Sequence, residues 1–296
     1  MSETPYFPAP EDFHDGLAVI KVDNKWGYID KTGKYIIEPR FVTAWNFSEG
    51  LAIAELGGKL GYIDRTGEFV IKPQFAAAWH FSEGLAAVKC SEPRKPSEFD
   101  RLFAELQAEV ERQRRAPREG QPVPDGTETA EPSGSTYPAS DGTAHDIPDM
   151  PTGRWGYIDK VGEFVVNPQF HDARGFSDEL AAVKVGGEKT GKWGYIDKTG
   201  KLVIVPRFDD VLPFSEGLAA IRVGDDETGG WGYVDKSDRQ VTAAKFQSAW
   251  SFSGGLALVK IDDRYGYVDK AGDYAIEPQT DYAEVSRRLE QLRKSG

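Results

Sequence analysis

Short apolar runs recur along this chain at a near-constant interval. GLAVIKV, from Gly16 to Val22, has strand length and apolar residues on both faces, as in a strand covered on two sides. Its counterparts are Leu51 to Leu56, Leu85 to Cys90, Leu180 to Val185, Leu218 to Val223 and Leu256 to Ile261. WGYID follows, and its alternation sets Trp26, Tyr28 and Asp30 on one face and Gly27 and Ile29 on the other. Gly27 predicts close approach of a neighbouring backbone or ring. DKTG, Asp30 to Gly33, is turn chemistry: the Asp side chain bonds backbone two residues on, and Gly tolerates positive φ. A third strand, YIIEP, is closed by Pro39, with Pro73, Pro168, Pro206 and Pro278 in the same place. The remaining piece, F-x-x-A-x-x-F-S-E-G in its cleanest forms, lacks period two and predicts a turn or short helix linking units.

The block repeats six times, starting at Gly16, Gly50, Gly84, Glu179, Gly217 and Gly255. Its aromatic anchors are Trp26, Leu60, Trp155, Trp193, Trp231 and Tyr265, spaced 34, 95, 38, 38 and 34 residues apart. Each unit buries its apolar face against its neighbours, which predicts a stacked or radial array and favours a recognition surface over a catalytic pocket. The fold class is all-β: six tandem three-stranded antiparallel meanders in an open twisted array. A closed six-bladed propeller-like ring is the alternative, although four-stranded blades usually need about 40–45 residues.

All length variation falls in the hairpin joining the first strand to the second. Val22 to Trp26 and Leu56 to Leu60 are four residues, Val185 to Trp193 and Val223 to Trp231 eight, and Cys90 to Trp155 is 65. The insertions therefore project from one rim, often the binding side of a repeat array. The expected organisation is an N-terminal extension (1–15), repeats one and two with the first strand of repeat three (16–90), an insertion (91–152), the remaining repeats (153–280) and a C-terminal helix (281–296). Within the insertion, 97–115 has a helical stripe of Phe99, Leu102, Phe103, Leu106 and Val110, and proline-rich 116–152 predicts disorder. The first of these helices either docks on the array or binds a partner. The last, with Tyr282, Val285, Leu289 and Leu292 on a stripe, caps the array end.

The net charge of −12 argues against nucleic acid as a partner and fits solubility or docking onto a basic protein. Cys90 is the single cysteine, so no internal disulfide forms. The start, MSETPYFPAPEDF, lacks the pattern of a signal peptide, and no run approaches the roughly 18 apolar residues of a membrane helix. These features predict a cytoplasmic protein without a membrane partner.

Catalytic and metal chemistry find no foothold. Gly186 to Lys192, GGEKTGK, has the spacing of a phosphate loop, but Trp193 stands where a Ser or Thr must hold Mg²⁺, and the stretch joins two strands. The four histidines, His14, His80, His145 and His171, are scattered, so neither a metal nor another cofactor is expected. The repeated Asp residues stand singly in turns, without calcium's further ligands. Trp26, Trp155, Trp193, Trp231 and Tyr265 read as structural repeat anchors. A second set lies 19 residues after each of the first five anchors: Trp45, Trp79, Arg174, Leu212 and Trp250. It is either inter-repeat packing or a candidate interaction patch, since Trp and Arg are enriched at interface hot spots.

WGYIDKTGKYIIEPRF and its copies resemble the bacterial WG-repeat, or KWG-repeat, family over 16–90 and 153–280. Leu60 and Tyr265 depart from it at the Trp position, Ala244 at the Pro position and Thr280 at the Phe position. The resemblance implies a β-rich repeat that mediates interactions, with no catalytic signature. The expected function is a non-enzymatic scaffold presenting its loop rim to a protein of unknown identity. The alternatives are a small-molecule or glycan binder acting through the second Trp set, and an antitoxin or immunity protein.

Overall fold

The computed structural model describes residues 12–90, 153–187, 189–225 and 229–295. The expected helix at 97–115 and disorder at 116–152 lie outside them. The first repeat forms β1 (Leu17–Val22), β2 (Lys25–Asp30) and β3 (Tyr35–Phe41). The second forms β4 (Ala52–Leu56), β5 (Lys59–Ile63) and β6 (Phe69–Ala78), and the third β7 (Ala86–Cys90), β8 (Trp155–Ile158) and β9 (Phe164–Phe170). After β10 (Asp172–Ser177) the fourth repeat forms β11 (Leu180–Val185), β12 (Lys192–Ile196) and β13 (Leu202–Phe208). β14 (Asp210–Val211) precedes β15 (Leu218–Val223), β16 (Gly230–Asp235) and β17 (Gln240–Phe246) of the fifth. β18 (Ser248–Ala249) precedes β19 (Leu256–Ile261), β20 (Arg264–Asp269) and β21 (Tyr274–Gln279) of the sixth, and α1 (Tyr282–Ser295) ends the chain. The six meanders are antiparallel throughout.

Two local expectations are corrected. Later linking pieces are strands, not turns or helices: β10, β14 and β18 each pair with the first strand of the following repeat and make four-stranded sheets, whereas 42–49 makes only isolated bridges such as Ala44↔Ala54. β6 runs on to pair with β7, which joins repeats two and three in one six-stranded sheet. Their irregular periodicity reflects bulges, such as the shift between Ala173 and Phe176. The prolines do not close the third strand either. Pro39 lies inside β3, at a register shift between the pairs Trp26↔Phe41 and Tyr28↔Ile37. It faces Gly27, where an ideal Cβ would stand 2.6 Å from the Ile37 carbonyl oxygen and 2.7 Å from the Pro39 nitrogen. Gly61, Gly156 and Gly194 meet Pro73, Pro168 and Pro206 in the same way. In the fifth repeat Ala244 replaces the proline, and Thr242 Oγ1 accepts the Tyr233 N–H at 3.0 Å beside the bulge.

The cores lie between consecutive repeats. Leu17, Tyr28, Ile37 and Phe41 of the first pack with Ala52, Ala54 and Ile63 of the second. The turn edge is stitched as well. Ser48, Ser82, Ser177 and Ser215 hydroxyls donate to the carbonyls of Phe81, Phe176, Phe214 and Phe252, one repeat on. The acid after each Ser takes an N–H of the next turn: Glu49 from Gly84 at 3.0 Å, Asp178 from Gly217 at 2.6 Å, Glu216 from Gly254 at 2.6 Å. Lys160, Lys198 and Lys270 then reach Glu49, Glu83 and Glu216 at 3.1 Å, each from two repeats further along. Asp15 accepts the Gly50 N–H at 2.8 Å, so the segment before the first repeat supplies the tail of a partial unit. At the other end Gly254 stands where the acid would be, and no strand pairing joins the first sheet to the last among the described residues. The array is open. α1 packs on β20 and β21, with the Val285 side chain fully buried.

Each Asp turn closes as its sequence predicts. Asp30 Oδ1 accepts from the Thr32 N–H at 2.8 Å, the Thr32 hydroxyl at 2.5 Å and the Lys34 N–H at 3.1 Å. Hydroxyl bonds from Thr32 and Thr66 hold the Asp30 and Asp64 carboxyls below the usual carboxylate range. The Ser237 hydroxyl, assisted by Arg239, brings Asp235 to about 2. At Glu49 burial pushes upward, but Lys160 and the Gly84 N–H outweigh it, so that carboxyl is also depressed.

Two outcomes are expected. Gly61→Ala drives a methyl into the Ile71 carbonyl and costs roughly 1–3 kcal/mol, read from chemical denaturation. The depressed carboxylates contribute stability that is full above the unfolded-state values of about 4 and is lost as pH falls toward 2. The melting temperature should therefore hold from pH 7 to about 5 and then drop, and Asp235→Asn should make the drop shallower.

Candidate interaction site

The second Trp set occupies one structural position with a single backbone rule. The tyrosine two residues after each anchor is completely buried in the first five repeats. Its hydroxyl donates to a carbonyl 17 residues later: Tyr28 to Trp45, Tyr62 to Trp79, Tyr195 to Leu212 and Tyr233 to Trp250 at 2.7 Å, Tyr157 to Arg174 at 2.8 Å. Burial raises these phenols far above their ordinary value, so each stays a protonated donor. Each ring meets edge-on the phenylalanine two residues beyond that carbonyl, at 4.8 Å for Tyr28–Phe47 and 4.7 Å for Tyr195–Phe214. The backbone at the second position is thus pinned from below, whatever side chain it carries.

Those side chains diverge. Trp45, Trp79 and Trp250 are 37%, 48% and 42% exposed. Arg174 lies 4.8 Å over the Trp193 ring, pairs with Asp210 at 3.1 Å and donates to the Val211 carbonyl. Leu212 packs against the core of the fifth repeat. Trp250 meets Tyr265 at 6.5 Å, and Tyr265 meets Tyr282 of α1 at 5.3 Å. No ring contact joins Trp45, Trp79 and Trp250 to one another among the described residues, so the set forms successive stations along the array. Of the anchors, Trp155 and Trp193 are buried, and Trp26, Trp231 and Tyr265 are half-buried.

The hairpins that carry the length variation lie at the end of each meander opposite the Asp turns. The insertion leaves and re-enters through one such tip: Cys90 accepts the Gly153 N–H, and its own N–H reaches the Arg154 carbonyl, both at 3.1 Å. The phosphate-loop-like stretch is another tip, closed by Gly191 N–H to the Gly187 carbonyl at 2.7 Å.

Two features escaped the sequence reading. The Tyr hydroxyl bonds were hidden because Tyr28 reads only as an alternating strand residue. A basic residue stands opposite five of the six anchors: Lys21↔Trp26, Lys89↔Trp155, Lys184↔Trp193, Arg222↔Trp231 and Lys260↔Tyr265.

The family described as WG containing repeat matches residues 9–26, 26–59, 61–92, 155–188, 193–225 and 231–265. No curated protein matches the chain. Among solved structures, a protein of Agrobacterium tumefaciens assigned as TolB is similar at 10% identity, with 83% of each chain covered and a TM-score of 0.34. The tricorn protease is similar at 11% identity and a TM-score of 0.40, over 90% of this chain but 29% of its own. Neither likeness bears on activity.

The pinned backbone and free side chain separate in a stability measurement. Trp79→Leu should shift unfolding free energy by less than about 1 kcal/mol. Tyr62→Phe, which leaves the Trp79 carbonyl without its donor, should cost about 1–3 kcal/mol by urea titration, and Trp193→Ala about 3–5 kcal/mol.

Proposed function

The chain belongs to the WG containing repeat family, and from that premise we propose that it is a non-enzymatic interaction module that presents its rim to a protein partner. The observation that carries this reading is the second position. An invariant Tyr bond holds its backbone in five repeats, while the residue there varies among Trp, Arg and Leu and three tryptophans stay exposed. Selection for packing alone would bury those rings, since each can remove about 150–250 Å² from water. Exposed aromatics on a rigid frame are what interface hot spots are made of. The variable hairpins decorate the same array without disturbing it. Among the described residues no helix is long and apolar enough to cross a membrane.

Glycan or small-molecule binding is the second reading, and the Trp250–Tyr265–Tyr282 ring series favours it at one station. The two are separated by affinity capture with the full chain against Trp45→Leu, Trp79→Leu and Trp250→Leu combined. Loss of a specific protein partner in the triple variant, and a changed partner set when 91–152 is replaced by a tight turn, is the expected result. Unchanged capture in both, with Trp fluorescence quenched by a glycan panel and restored by Trp250→Leu, would overturn it in favour of the second reading.

A further inference from the structure

The second repeat inverts a pattern that the other five share. In those five a lysine or arginine faces an aromatic anchor across the first two strands. The cation lies over the ring where the two are in contact: Lys21 Nζ is 5.5 Å from the Trp26 centroid and Lys260 Nζ 5.7 Å from Tyr265. In repeat two the pair is Glu55↔Leu60, so both the cation and the ring are gone. Glu55 has no side-chain hydrogen bond or ion pair among the described residues, and it is only partly buried.

An exposed ring, Trp45, projects from the segment that pairs with this strand through the isolated bridge Ala44↔Ala54. The Trp45 N–H reaches the Ile53 carbonyl at 3.1 Å and the Glu55 N–H reaches the Thr43 carbonyl at 2.9 Å. This register sets Trp45 and Glu55 on the same face, one diagonal step apart, within reach of long side chains. The chain shows elsewhere what such a pair holds. Arg174 lies over the Trp193 indole with the Asp210 carboxylate at its side, a ring and an acid from other positions of the repeat than Trp45 and Glu55. At Trp45 the ring and the carboxylate are present and the cation is not. The net charge of −12 supplies the long-range attraction for a basic partner.

We propose that Trp45 and Glu55 together receive an arginine side chain from an extended basic segment of a protein partner. This rests on the interaction-module reading and names the chemistry of the partner. Arginine fits better than lysine, because its planar guanidinium can stack on indole while its edge pairs with a carboxylate.

The test titrates the full chain with a synthetic peptide of alternating glycine and arginine, by calorimetry and Trp fluorescence. Glycine–lysine and glycine–glutamate peptides of equal length serve for comparison. Glu55→Lys restores the residue type of the other repeats, and Trp45→Leu copies Leu212, so both should fold as the parent does by circular dichroism. Glu38→Lys, at an exposed site on β3, changes the net charge equally. The expected result is about tenfold weaker arginine-peptide binding in each of Glu55→Lys and Trp45→Leu, with Glu38→Lys near the parent. The lysine peptide should bind more weakly than the arginine peptide and the glutamate peptide not at all. Absent binding, or equal losses in Glu55→Lys and Glu38→Lys, overturns the inference. If it fails while partner capture still depends on Trp79 and Trp250, the interaction-module reading survives; if capture is indifferent to all three tryptophans, that reading fails on its own account.

Discussion

The structure depends on one close approach, that of the glycine after each anchor to the bulge of the third strand. A Cβ at Gly27 would fall 2.6 Å from the Ile37 carbonyl oxygen, nearer than real Cβ contacts come. Because nothing stands there, β3 can bulge toward β2 and carry Pro39 within the strand, where its lack of an N–H costs no ladder bond. The bulge changes the register, so that Phe41 comes opposite Trp26 and Ile37 opposite Tyr28. It thereby sets which aromatic side chains face the next repeat. The glycine and the proline, a dozen residues apart in sequence, are the two halves of one contact. The fifth repeat supports this: where Ala244 replaces the proline, Thr242 enters the neighbourhood and bonds the Tyr233 N–H.

Neighbouring repeats are then locked at two levels. Inside, the tyrosine that the bulge positions reaches forward to a carbonyl 17 residues on, with its ring against a phenylalanine. At the turn edge, a serine and an acid reach one repeat forward, and a lysine reaches back two. The salt bridges are partly solvated and contribute little one at a time. Their reach over two repeats couples next-nearest neighbours, which nearest-neighbour stacking alone does not. The series stops where Gly254 stands in place of the acid, at the last unit with a successor.

Much of the architecture was legible because each repeat states its strands, turns and anchors in the same order, and six copies reveal which positions vary. The Asp turns and the lengthened hairpins could be placed from spacing alone. The linking strands could not. β14 and β18 are two residues long, and bulges break the alternation in β10. Pro39 misled for a related reason: a proline normally ends a strand, and only the glycine across from it removes the obstacle. At the candidate site the sequence singled out Trp45, Trp79 and Trp250 but left packing and exposure undecided, because a Trp in a repeat serves either purpose. The hydroxyl bond from Tyr28 fixes the backbone there without using the side chain, and the Trp45, Trp79 and Trp250 rings are partly exposed.

That separation explains how one array can keep its fold while its surface changes. At an ordinary core position the side chain bears both shape and stability, so substitution is costly. At the second position stability resides in a carbonyl that every residue type possesses, and the Tyr donor below is indifferent to what projects above. Trp, Arg and Leu therefore follow one another along a single frame: exposed at Trp79, satisfied within the chain at Arg174, packed against the core at Leu212. Repeat two carries this furthest, exchanging the anchor and its cation for Leu60 and Glu55 while Tyr62 and Gly61 keep their bonds and contacts. A change that reverses local charge without touching the frame alters what the surface attracts and leaves what holds it together intact.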